Sequence, residues 1–84
     1  MKFKIINKPA KEMYGYDGMN KDAARVMGFP WKYASNVILI DENLHKHSRA
    51  TTKLHEVVEK HYMDNGLSYW AAHKKATLAE KKLK

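Results

Sequence analysis

The sequence contains no cysteine, which excludes disulfide bonds and thiolate metal sites as stabilising elements of the fold. The side-chain metal ligands that remain are histidine and carboxylate groups. Any metal chemistry is therefore expected among the 5 histidines and 9 acidic residues. The lack of cysteine also fits a reducing compartment.

Long hydrophobic runs are missing as well. No apolar run approaches the roughly 20 residues that a membrane-spanning helix needs. The longest aliphatic run, Val37–Ile40, has the length of a strand. The first residues, Met1–Lys4, alternate polar and apolar side chains and lack a signal-peptide core. We therefore expect a cytoplasmic protein with no membrane partner.

Acidic residues are few relative to basic ones: 9 Asp and Glu stand against 16 Lys and Arg, for a net charge of +7. A positive excess favours polyanionic partners such as nucleic acid. In this interpretation the nucleic-acid-binding residues are the lysines near the C-terminus, Lys74, Lys75, Lys81 and Lys82. The alternative is a solvated helix end, because lysine near a helix C-terminus complements the helix dipole.

The length of 84 residues predicts one small domain spanning 1–84. Local patterns divide it into a strand–loop–strand region, 1–41, and a helical hairpin, 48–83. We therefore predict the α+β fold class, with a short two-stranded sheet packed on a C-terminal antiparallel helical hairpin.

The two strands are predicted from short apolar patterns. Phe3 and Ile5 alternate with polar residues, which predicts a first strand with one solvated face. Four consecutive aliphatic residues predict a second strand, buried on both faces, over Asn36–Asp41. The segment 14–18 contains two glycines and an aspartate, and is predicted to be a loop.

Three helices are predicted from the signals at their ends; for the first, short one the alternative is a structured loop. Each has candidate N-caps, namely Asn20 or Asp22 for a short helix, Ser48 (with Thr51 and Thr52 as alternatives) for a long one, and Ser68 for the last. Gly28 and the pair Asn65-Gly66 are stop signals for the first two. The short connection after Gly66 predicts that the last two helices run antiparallel.

Helical periodicity predicts which face of the first long helix is buried. An apolar stripe gathers on one side and forms the predicted core face: Leu54, Val57, Val58, His61 and Tyr62. His55 and Glu59 lie one turn apart at its edge, and Glu56 lies further round, toward solvent. His61 is then a core histidine, whereas His45 and His47 are solvated loop residues.

The second helix brings another histidine to the same place. His73 shares a face with Ala72 and Ala76, where close helix packing is expected. Counted from the turn, Glu59 and His73 lie at about the same height, so that His55, Glu59 and His73 can converge. Two imidazoles and a carboxylate are a known ligand set for catalytic zinc. The alternative is a metal-free hydrogen bond from His73 to Glu59 that closes the hairpin.

A family resemblance rests on these residues. His55-Glu56-Val57-Val58-Glu59 resembles the HExxH helix of zincin metallopeptidases, with Glu59 in place of the second histidine. The longer pattern resembles small uncharacterised phage and mobile-element proteins that look like miniature zincins: 54–59, Met63, 66–69, Ala72-His73 and Ala76, preceded by a strand that ends at Ile40-Asp41. It covers roughly 36–80, about half the chain.

The resemblance implies a function and a role for each residue. His55, Glu59 and His73 would be zinc ligands and Glu56 would be the general base. Tyr69 is either an oxyanion donor or a core tyrosine, and the sequence does not distinguish the two. We predict a minimal zincin-like metal-binding domain of phage type, in the host cytoplasm, with hydrolytic activity left open. The alternative is a non-enzymatic, small basic accessory protein that binds nucleic acid or a host protein.

Overall fold

The predicted strands and helices form, and one further strand joins them. The computed structural model describes residues 3–83, and these contain three strands and three α-helices. The elements are β1 (Lys4–Lys8), β2 (Gly18–Asn20), α1 (Lys21–Met27), β3 (Val37–Asp41), α2 (Lys46–Asp64) and α3 (Tyr69–Leu83), with a short 3₁₀ turn at Ala10–Glu12. The α+β fold class is thus confirmed.

The sheet has three strands in the order β1-β3-β2, so the prediction of two strands is wrong. β1 pairs with β3 in parallel, and β2 pairs with the other edge of β3 antiparallel, with Gly18 opposite Ile40 and Asn20 opposite Ile38. β2 has only 3 residues, and glycine and asparagine disfavour strands. β2 is a strand because it pairs with β3, since its own residues do not favour strand structure.

The two faces of the sheet meet different partners, because successive side chains of a strand point to opposite faces. Leu39 and Met19 belong to the buried apolar cluster that also holds Phe29. Gly18 and Asn20 point the other way, toward α2, where Thr52 lies within contact distance of Gly18. The space between the sheet and α2 is therefore where polar groups of both elements meet.

The helix ends follow the predicted signals with one exception. Asn20 caps α1, since its side-chain oxygen accepts a hydrogen bond from the Ala23 N–H. Asn65 and Gly66, with a φ of 98°, end α2 as expected. The prediction that Ser48 (or Thr51 or Thr52) is the N-cap of α2 is wrong. The N-cap is His45, whose carbonyl accepts the Arg49 N–H, and its side chain makes no capping hydrogen bond.

The buried face of α2 differs from the predicted one. Its buried residues are Thr51, Glu56, Glu59 and Lys60, whereas His61, predicted in the core, is exposed. Glu56, predicted toward solvent, is also buried. These polar groups are buried because partners meet them: Lys60 Nζ, for example, pairs with carboxylate oxygens of Asp22 and Asp64 at 2.9 and 2.7 Å.

The last two helices pack against each other as an antiparallel hairpin. Contacts from successive turns of α2 fall on α3 in reverse order, since His55 meets Glu80 and Glu59 meets His73. Ala72 and Ala76 are fully buried and allow the two helices to approach closely. The hairpin therefore brings residues from the middle of both helices within reach of one another.

Candidate metal centre

Three predicted ligand residues converge at the middle of the hairpin. Glu59 Oε2 lies 3.0 Å from His55 Nε2 and 3.0 Å from His73 Nδ1. The two ring nitrogens lie 3.1 Å from each other. Among residues 3–83, this group has the spacing of a metal site, with one ligand atom from each residue within 4.8 Å of the others. The predicted convergence is confirmed.

The protons of a metal-free arrangement do not fit these three contacts. While Glu59 is ionised, its oxygen can only accept a hydrogen bond, and each ring nitrogen carries one proton or one lone pair. If both nitrogens carry protons, two donors face each other across 3.1 Å. If either lacks one, its lone pair faces the Glu59 carboxylate at 3.0 Å. With an ionised Glu59, one of the three contacts therefore joins like groups.

Glu80 holds the outer side of the His55 ring. Its Oε1 lies 2.9 Å from His55 Nδ1, and both side chains are partly buried. A carboxylate on the far nitrogen of a histidine is the usual device that orients a metal-binding imidazole and fixes its tautomer. Glu80 was not predicted as a site residue, although its position seven residues after His73, on the same face of α3, is a signal that would have found it.

Asn20 joins the two carboxylates of α2. Its Nδ2 donates to Glu56 Oε1 at 3.0 Å and to Glu59 Oε1 at 3.1 Å, and the residue is fully buried. Gly18, two residues earlier, leaves room for this arrangement, because a Cβ there would lie 2.8 Å from Glu56 Cγ. Neither residue was predicted at the site, since their strand was not predicted either.

The environment shifts several pKa values. Burial and the neighbouring charge of Glu59 raise the pKa of Glu56 to about 8. Burial of His55 opposes protonation, but the hydrogen bond to Glu59 and the charges of Glu56 and Glu59 outweigh it and raise the pKa of His55. Burial, together with the charges of Glu59 and Glu56, raises the pKa of Tyr69 to about 12. Tyr69 therefore keeps its proton at neutral pH.

A cleft of about 250 Å³ opens onto these groups. It is lined on one side by Asp17, Gly18 and Met19 and on the other by residues of the hairpin. The ring of Tyr69 stacks on His73 with centroids 5.5 Å apart, and its hydroxyl lies 3.5 Å from His73 Nδ1. The structure thus gives the site an opening, with a phenolic donor at its edge.

Glu56 has one oxygen available to this cleft. Its Oε1 accepts the hydrogen bond from Asn20. Among residues 3–83, no fully buried side-chain oxygen lacks a hydrogen-bond partner, and no described residue bonds to Glu56 Oε2. That second oxygen therefore retains contact with the open space of the cleft.

The other candidate residues lie away from the site. His45 and His47 are exposed, and His47 lies in the first turn of α2 instead of the predicted loop. The lysines of the nucleic-acid interpretation are all exposed on α3: Lys74, Lys75, Lys81 and Lys82. Lys75 Nζ lies 5.2 Å from the centroid of the Tyr62 ring, on a different surface from the cleft.

Comparison with known proteins adds no relative: no family model, curated protein or solved structure matches the chain. Within residues 3–83, no helix combines the length and apolar character required to cross a membrane.

Proposed function

We propose that this protein is a minimal zincin-like metal-binding domain in which His55, Glu59 and His73 bind zinc. One observation carries the proposal: three ligand atoms from two helices converge within 3.0–3.1 Å, in an arrangement that protons alone do not satisfy while Glu59 is ionised. A cation at the centre accepts a lone pair from each atom and removes the conflict between like groups.

The residues fit zinc in chemistry and spacing. Zinc prefers histidine nitrogen and carboxylate oxygen at about 2.0–2.2 Å, which separates tetrahedral ligands by about 3.3 Å. The three atoms of this site need to move apart by only a few tenths of an ångström, since they lie 3.0–3.1 Å from one another. Three protein ligands and an open side facing a cleft are typical of catalytic rather than structural zinc.

Two surrounding residues support a hydrolytic activity. Zinc supplies Lewis acidity, which lowers the pKa of a bound water toward neutrality. Glu56 lines the cleft, and above its raised pKa of about 8 its ionised carboxylate would accept a proton as a general base. The Tyr69 hydroxyl, protonated at neutral pH, donates a hydrogen bond to negative charge that develops on a substrate oxygen. Hydrolysis is therefore the activity proposed for this site.

The metal proposal predicts a large thermal stabilisation by zinc. A ligand bound only by the native state at 100 times its Kd contributes about 2.7 kcal/mol, which corresponds to about 10 °C or more for a domain of this size. We expect this rise in Tm for the wild type at pH 7.5, measured by differential scanning calorimetry after chelator treatment. We expect no such rise in His55→Ala, Glu59→Gln and His73→Ala.

The controls separate this site from adventitious binding by surface histidines. His45→Ala and His61→Ala remove exposed imidazoles and should keep the full zinc effect. Glu56→Gln should also keep it, because a general base is not a ligand, while any hydrolytic activity disappears. A wild-type Tm that does not respond to zinc would refute the metal proposal. An equal reduction of the zinc effect in His45→Ala would refute the ligand set.

A second proposal, of a different class, concerns the exposed face of α3. Four lysines lie there, and none of them lines the cleft: Lys74, Lys75, Lys81 and Lys82. We propose this surface as a nucleic-acid contact, because clustered lysines on one helix attract a polyanion. It is compatible with the metal site, since the two surfaces use different residues.

A further inference from the structure

The side chain of Asn20 makes three hydrogen bonds, and only one of them stabilises local structure. Its Oδ1 accepts the Ala23 N–H at 2.8 Å and caps α1. Its Nδ2 donates to Glu56 Oε1 at 3.0 Å and Glu59 Oε1 at 3.1 Å. A cap needs the oxygen alone, and serine or aspartate supplies one equally well. The amide nitrogen is therefore the part of Asn20 that the cap does not explain.

We propose that Asn20 is the positioning residue of the metal centre, which orients the ligand Glu59 and the base Glu56 through one amide group. The inference rests on the proposed function. With Oε1 held by the amide, Glu59 presents its other oxygen, Oε2, to both histidine nitrogens at 3.0 Å. The same amide holds Oε1 of Glu56, so that the second oxygen of this carboxylate is left to the cleft.

The placement of Asn20 suits this role. It belongs to β2, whose pairing with β3 fixes the backbone of Asn20 opposite Ile38. Asn20 is fully buried, and only 1% of the surface of Glu59 is exposed. Water therefore does not compete for the hydrogen bonds between them. A donor locked in both position and rotamer holds two carboxylates in one geometry before a metal arrives. Partners of this kind usually change metal affinity 10–100-fold when removed.

The test is Asn20→Ser, which keeps an N-cap oxygen but is too short to reach either carboxylate. Zinc affinity is measured by competition with a chromophoric chelator, and Co²⁺ is used as a spectroscopic probe of the ligand arrangement. We expect zinc Kd to rise about 10–100-fold and the Co²⁺ absorption bands to shift and weaken. Wild-type Kd and an unchanged Co²⁺ spectrum in this variant would overturn the inference.

A matched control is Asp22→Asn, in the first turn of helix α1, which Asn20 caps. It removes the ion pair with Lys60 at 2.9 Å and lowers stability at the same α1–α2 contact, while the hydrogen bonds of Asn20 stay intact. Its Tm should fall with zinc Kd and the Co²⁺ spectrum unchanged. If Asp22→Asn weakens zinc as much as Asn20→Ser does, the effect reports general stability and the positioning role is refuted.

A measurement on the wild type covers the case in which Asn20→Ser does not fold. The side-chain amide of Asn20 should give a ¹H–¹⁵N signal that moves as zinc is added, while the exposed amides of Asn43 and Asn65 stay in place. An unmoved Asn20 signal at zinc saturation would refute the inference and leave the metal site standing. Failure of the wild type to bind zinc would refute both.

Discussion

At the scale of single residues, Glu59 is the most confined member of the site. Its Oε1 accepts from Asn20 and its Oε2 lies between two imidazoles, with 1% of the residue exposed. An ionised carboxylate is rarely buried without compensating partners, because its desolvation costs several kcal/mol. The chain surrounds both oxygens of Glu59 with polar groups, which compensates for the burial of this carboxylate.

Variants of Glu80 test whether the carboxylate beside His55 Nδ1 contributes to zinc affinity. We expect Glu80→Ala to raise zinc Kd about 10–100-fold, because the variant removes the partner that lies 2.9 Å from His55 Nδ1. Glu80→Gln keeps a side-chain oxygen that accepts the Nδ1 proton, so its Kd should lie within a few-fold of the wild type. Competition with a chelator measures both values. Equal affinities for all three proteins would show that Glu80 does not orient His55.

At the scale of elements, the hairpin was predictable and the strand beside it was not. The turn at Asn65-Gly66 and the 3.6-residue period suffice to bring His55, Glu59 and His73 together, and the structure confirms it. β2 escaped prediction because its pairing with β3 is a long-range interaction that no local pattern encodes.

The same missing strand explains the error in the buried face of α2. Periodicity selects the apolar side of a helix as buried, which predicted the stripe that includes Val57 and His61. The actual buried side is polar, because β2 supplies the amide of Asn20 to Glu56, and α1 supplies Asp22 to Lys60. A sequence pattern cannot show that a distant element will satisfy a buried charge. Asn20 and Gly18 were missed for the same reason.

A further prediction concerns nucleic-acid binding by the exposed face of α3. Binding to duplex DNA should weaken steeply with salt, because each lysine that neutralises a phosphate releases counterions. Replacing Lys74, Lys75, Lys81 and Lys82 by Gln should reduce the slope of log K against log salt by about 1 for each lysine that binds a phosphate in the wild type. Fluorescence anisotropy with a labelled duplex at several salt concentrations measures the slope.

A charge-matched control distinguishes a defined surface from net charge alone. Four exposed lysines outside α3 are changed to Gln together: Lys11, Lys21, Lys32 and Lys46. This variant removes the same charge but should keep most of the wild-type slope. If the two variants weaken binding equally, α3 is not a specific contact. No binding by the wild type at low salt would refute the nucleic-acid proposal altogether.

At the scale of the whole molecule, the cleft is acidic although the chain as a whole is basic. The net charge is +7, yet the cleft gathers the carboxylates of Asp17, Glu56, Glu59 and Glu80. A domain of this length buries only about 60% of the surface of its unfolded chain, so its stability is modest. The proposed zinc, if bound in this acidic cleft, would neutralise buried charge and cross-link two helices near their middle.

This charge distribution predicts opposite pH trends for the metal-free and the zinc-loaded protein. The folded state raises the pKa of Glu56 to about 8 and also raises that of His55, so it binds protons more tightly than the unfolded chain does. Both contributions to the free energy of unfolding are full below the unfolded pKa values, about 4.3 for Glu and 6.5 for His, and disappear as pH rises through the folded ones.

In chelator, Tm should therefore fall between about pH 4.3 and 8. Zinc requires deprotonated ligands, so the increment in Tm that it produces should grow over the same range and fade below about pH 6. Calorimetry at matched pH values, with chelator or with excess zinc, measures both curves. His55→Ala should flatten part of the chelator curve and abolish the zinc increment, whereas His61→Ala, which removes an exposed imidazole, should change neither. A metal-free Tm that rises with pH would contradict the raised proton affinity of the folded state, and a zinc increment independent of pH would contradict histidine ligation.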